Sequence, residues 1–158
     1  PGPSPDQVDE EGDTALEITS ANVVKDATGN LVLTVVAEGN NLYALEVDHS
    51  HGKHGQWSEA NLPEFHVYAS ESNPYGNNES ANESAFEAAG VTVTYEANTQ
   101  TWTITFKSEG QAMQVINDSN MSNGAVEFYL VVHDEAGNSS GSMYDGNYTK
   151  VSKPANGS

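Results

Sequence analysis

The residues best suited to chemistry in this chain are oxygen donors gathered around two glycine-bearing turns near its C-terminal end. Asp134, Glu135 and Asn138 lie within one short stretch, and Asp145 and Asn147 follow in G-S-M-Y-D-G-N. Gly137, Gly141 and Gly146 leave the intervening backbone free to turn carbonyl oxygens inward. Calcium takes roughly six to eight such oxygens in flexible geometry, so this set is read as a calcium site. The EF-hand spacing is absent, so loops distant in sequence have to assemble it. The plainer alternative is a polar turn whose Asp and Asn cap backbone amides. Glu46 and Asp48, with Glu59 across a histidine-bearing loop, form a second candidate set. Asp26 with Asn30, in D-A-T-G-N, reads as turn chemistry alone.

Charge strengthens the calcium expectation. Five basic residues stand against 23 acidic ones, for a formal net charge of −18. Carboxylates spread along the whole sequence repel phosphate backbones and anionic headgroups, which argues against nucleic-acid binding and membrane insertion. They also repel one another unless cations neutralise them. The chain has no cysteine, so disulfides, zinc–thiolate sites and thiol nucleophiles are excluded. No H-E-x-x-H motif occurs, and the chain is not expected to be an enzyme.

The run 49–54, H-S-H-G-K-H, with His66 on the next strand, raises a transition-metal reading. An H-x-H spacing on extended backbone puts both imidazoles on one face. Lys53 in the middle and the lack of any evident supporting shell weigh against it. Tyr68, Tyr75 and Tyr144 lie at a strand end or in polar loops, near Ser70, Asn77 and Asn78. Tyrosine beside Asn, Ser and Gly is the mix that adaptable binding surfaces use, and these six are the candidate ligand-binding residues. Ordinary anchoring of loops to the core competes with that reading.

The elements that must position these groups are strands. Leu16, Ile18, Val23 and Val24 lead into the 26–30 turn, and 31–37 (L-V-L-T-V-V-A) follows as a strand too apolar to face water on either side. After a turn at 39–41, residues 42–47 alternate, with Leu42, Ala44 and Glu46 opposite Tyr43, Leu45 and Val47. A short strand at 65–70 precedes 71–84, which is low in complexity and reads as a long exposed loop. Residues 91–96 and 101–107 flank A-N-T-Q, predicting a hairpin with Val91, Val93, Tyr95, Trp102, Ile104 and Phe106 buried and threonines outside. Residues 112–116 read as strand or helical turn, 125–133 as a long strand, and 148–151 as the last. Seven to nine strands, with no convincing amphipathic helix, predict an all-β antiparallel sandwich with long loops. Residues 1–13 read as an extended acidic linker, 14–152 as the domain, and 153–158 as a second linker.

Residues 131–139, V-V-H-D-E-A-G-N-S, carry a strand ending in D-x-A-G-N-x-S, which resembles the closing strand of bacterial immunoglobulin-like repeats in secreted adhesins, including the large RTX type. The hairpin T-Y-E-A-N-T-Q-T-W-T-I-T and the acidic, cysteine-free composition are similar to the same proteins. The resemblance covers about the last seventy residues well and the rest by composition only. It implies an Ig-like, extracellular, calcium-rigidified module at a cell surface, flanked by other adhesin domains. This chain is longer than the usual sandwich of about 100 residues. Its additional polar loops look like those of a ligand-binding module, such as an RTX adhesin's peptide-binding domain. The expected function is therefore calcium-dependent binding of a short peptide or glycan on another cell. A purely structural extender domain is the alternative.

Overall fold

The computed structural model describes residues 15–49, 65–76, 82–118 and 125–154. Two antiparallel four-stranded sheets face each other. The first holds β1 (Glu17–Lys25), β2 (Leu31–Glu38), β6 (Thr101–Phe106) and β5 (Val91–Glu96), in the order β1-β2-β6-β5. The second holds β4 (Phe65–Tyr68), β3 (Leu42–His49), β7 (Ala125–Asp134) and β8 (Thr149–Pro154), in the order β4-β3-β7-β8. β8 therefore runs two residues into the segment that sequence alone reads as linker. Residues 1–13 lie outside the described part.

Alternation decides what is buried. Along β2, Leu31, Leu33, Val35 and Ala37 point into the core while Val32, Thr34 and Val36 stay partly exposed. The predicted hairpin has the expected register, with Tyr95 opposite Trp102, Val93 opposite Ile104 and Val91 opposite Phe106. All six are buried and the threonines face outward, as expected. Phe106 and Phe128 stack across the two sheets at 5.4 Å.

The two D-x-x-G-N sequences fold identically. In each, Asp Oδ1 accepts the amide protons two and four residues on, and Oδ2 accepts the Asn side-chain amide. The Gly before that Asn sits at φ +88° or +93°, a conformation that costs an L-residue strain. Desolvation, the largest single influence, raises both aspartate carboxyls, but the hydrogen bonds together outweigh it and hold Asp26 and Asp134 below the ordinary 3.8. A depressed folded-state pKa adds stability that is complete above the unfolded value and lost as pH falls through the folded one. The double variant Asp26→Asn/Asp134→Asn should therefore lose less of its melting temperature than wild type when acidified below about 3.8. Parallel acid slopes for the two proteins would contradict that role.

Two expectations are corrected here. Residues 71–84 are not one exposed loop, and the chain does contain helix: α1 (Glu83–Ala89), where a loop was expected, and α2 (Gln111–Asp118), which takes the helical of the two readings for 112–116. Asn82 caps α1 by accepting the Ala85 amide at 3.0 Å, and the helix buries Phe86 and Ala89. With so few turns, two apolar contacts suffice, and the period is too short to read from sequence. Residues 71–76 pack instead as a compact turn, with Pro74 buried and its carbonyl accepting the Tyr68 amide at 2.8 Å. The Tyr75 ring meets Phe86 edge-on at 5.3 Å, and its hydroxyl accepts the Val93 amide at 3.0 Å. Glu71 accepts the Ala97 amide at 2.7 Å. This turn thus closes part of the open edge of β5, a stretch that would otherwise invite pairing with another chain.

Candidate functional site

The site lies on the outer face of the second sheet, where β4, β3 and β7 run side by side. Residues 45–49 alternate cleanly, turning Leu45, Val47 and His49 inward and Glu46 and Asp48 outward. Nearer its start, β3 slips by one residue between Leu42 and Ala44. The slip leaves Leu42 buried and Tyr43 52% exposed, which the simple alternation predicted for neither. Leu42 pairs with Asp134, and Ala44 pairs with both Tyr68 and His133. The ends of β4 and β7 therefore meet at one end of the sandwich.

Two hollows adjoin there. One, of about 480 Å³, is lined by Tyr43, Ala44, His66, His133, Asp134 and Glu135. The other, of about 440 Å³, shares Tyr43 and Glu135 and adds Tyr68, Ser70, Asn73 and Gly76. Tyr43 stands between them, its ring edge-on to Tyr68 at 5.4 Å and 76°. Tyr68 is fixed from below, since its carbonyl accepts the indole proton of Trp102 at 3.1 Å. Gly76 supports it from the side: at φ +81°, a methyl there would collide with the Tyr68 ring. Gly76→Ala should displace that ring and weaken any ligand held in the second hollow, with a smaller loss of melting temperature than a core truncation. Unchanged ligand retention would show that Tyr68 does not shape the site.

Beside the first hollow, which His66 and His133 line, three polar side chains from three strands come together. Glu46 sits directly opposite His66 in the β3–β4 register. Glu46 Oε1 is 3.1 Å from His133 Nε2, and the two imidazole centroids are 5.8 Å apart. Ligand atoms of Glu46, His66 and His133 all lie within 4.8 Å of one another. Burial pushes the His66 imidazolium pKa down; the Glu46 charge opposes this and His133 adds to it, and the balance lies below the ordinary 6.5. His66 is therefore a neutral nitrogen donor at neutral pH.

The predicted residues divide between placements. Asp134 and Asn138 meet, but inside their turn, where both Asp134 oxygens already accept hydrogen bonds. Glu135 lines both hollows. Asp145 and Asn147 belong to a separate turn closed by Ser142 and Asn147, beside β7. Among the described residues, one group of three acidic or histidine side chains converges, and it is Glu46, His66 and His133 rather than a carboxylate cluster. Glu46 and Asp48 line a third hollow of about 490 Å³ with His133 and the exposed Tyr144. Tyr68 and Ser70 reach the second hollow, whereas Tyr75 anchors its turn to the core. His49 is 1% exposed on the inner face, opposite in parity to Glu46, so it cannot join an outward H-x-H pair. Asn77, Asn78, Glu59, His51 and His54 lie outside the described residues.

Tyr43 and His133 were missed as site residues. His133 sits inside the very motif that carried the adhesin resemblance, but its partners depend on strand pairing that spacing alone does not give. No family model matches this chain, and no curated protein matches it in sequence. Among the described residues, no helix is long and apolar enough to cross a membrane.

Proposed function

We propose that this chain is an extracellular binding module of a bacterial adhesin, and that it takes a short peptide in the paired hollows around Tyr43. The single observation that carries the reading is this exposed tyrosine, set between two adjoining hollows and braced by Tyr68. Aromatic rings held at low entropic cost, beside Ser70, Asn73 and the Glu135 carboxylate, are the groups a peptide-recognising surface uses. The strand order supports an Ig-like assignment. An Ig sandwich places strands A, B, E and D in one sheet and C, F and G in the other, and β1-β2-β6-β5 facing β3-β7-β8 follows that order. β4 is then an additional strand beside C, and it contributes both His66 and Tyr68 to the site.

Calcium enters this proposal as the neutraliser of a strongly acidic extracellular surface. Metal-stripped protein given calcium at a hundredfold excess over its dissociation constant should be stabilised by about 2.7 kcal/mol. A melting temperature that ignores both chelation and calcium at fixed ionic strength would remove calcium from the account and leave the groove untouched.

The direct test is retention of the fluorescently labelled module on an array carrying both peptides and glycans. Selective retention on peptides supports the reading. Retention on glycans alone overturns the peptide class, and retention on neither favours a structural extender domain.

A further inference from the structure

We infer that Glu46, His66 and His133 form a binding site for a divalent first-row transition-metal ion, with zinc the ion whose preferences they match. Imidazole nitrogen with carboxylate oxygen is a donor set that zinc accepts, whereas calcium takes oxygens and would leave both histidines unused. The three donors come from three neighbouring strands of one sheet, β3, β4 and β7, so their backbone positions are held rigidly. Around a tetrahedral zinc with bonds of about 2.0–2.1 Å, donor atoms stand roughly 3.3–3.4 Å apart. Glu46 Oε1 and His133 Nε2 are already 3.1 Å apart, and every donor pair is within 4.8 Å. The remaining pairs have at most about 1.5 Å to close to reach that spacing.

The surroundings favour a cation. A surface of net charge −18 raises the local concentration of divalent ions. Asp134 and Glu135 line the same hollow as His66 and His133 and add negative potential without entering the triad. Three protein ligands leave at least one position of the ion open, and both histidines face the hollow. That position takes water, or a carboxylate or carbonyl oxygen of whatever occupies the hollow. The site goes beyond the peptide-binding reading and does not depend on it.

The test is titration of the metal-stripped full chain with zinc by calorimetry, and with cobalt by visible absorption. One ion per chain is expected, with a cobalt spectrum of a low-coordinate nitrogen–oxygen site. His66→Asn, His133→Asn and Glu46→Gln should each weaken zinc at least as much as the loss of a supporting group, about 10–100-fold, and abolish that spectrum. Glu46→Gln keeps the size and hydrogen-bonding reach of the side chain, so a matching melting curve separates lost ligation from lost folding. His51→Ala/His54→Ala should bind zinc as wild type does. No binding to the wild-type chain would overturn the site. So would binding that survives all three substitutions or disappears only with His51 and His54.

Discussion

Trp102→Ala should be among the most destabilising single substitutions in the domain, at about 3–5 kcal/mol. The side chain is 0% exposed in the centre of the first sheet, opposite Val35 on one side and Tyr95 on the other. Its removal leaves a cavity that rigid strands on both sides cannot close. The melting temperature should fall by about 2–4 °C for each kcal/mol. Trp102→Phe isolates a second contribution. It keeps much of the bulk but strands the Tyr68 carbonyl, which costs about 1–3 kcal/mol. Because that carbonyl anchors Tyr68, which lines the second hollow, Trp102→Phe should also weaken ligand retention. A near-neutral Trp102→Ala in thermal or denaturant unfolding would contradict the core as described.

Tyr43→Ala should have the opposite profile. Truncating a central aromatic anchor of a binding surface typically costs at least about 2 kcal/mol, or roughly 30-fold in affinity. Tyr43 is half exposed and contributes little to the core, so stability should stay within about 0.5 kcal/mol of wild type. Weakened retention with an unchanged melting curve places the ligand over Tyr43. Unchanged retention would move the ligand elsewhere on the surface.

Legibility in the sequence followed the range of the interactions involved. The β5–β6 hairpin could be read to within one residue, β6 ending at Phe106 rather than 107, because alternation and a four-residue connection fix both faces locally. The turn at Asp26 was equally local. α1 was hidden because its helical character rests on the Asn82 cap and on Phe86 meeting Phe65 at 5.0 Å, a contact between residues far apart in sequence. The exposure of Tyr43 depends on the one-residue slip in β3, which alternation cannot foresee. The triad of Glu46, His66 and His133 needed the knowledge that β3 is paired between β4 and β7, with Glu46 opposite His66. No spacing rule supplies that. At the acidic turn the sequence does not separate a calcium ligand set from a self-capped turn, because both use the same residues, Asp and Asn.

The central claim is that ligand contacts the groove over Tyr43, and amide and side-chain NMR shifts recorded during titration with an array-retained peptide test it most directly. The account predicts that the shifts concentrate on Tyr43, His66, Tyr68, Ser70 and Glu135, and leave the outer face of β1 and β2 unmoved. Shifts centred on Tyr144 and Asp145, or on β1 and β2, with Tyr43 unaffected, would contradict it.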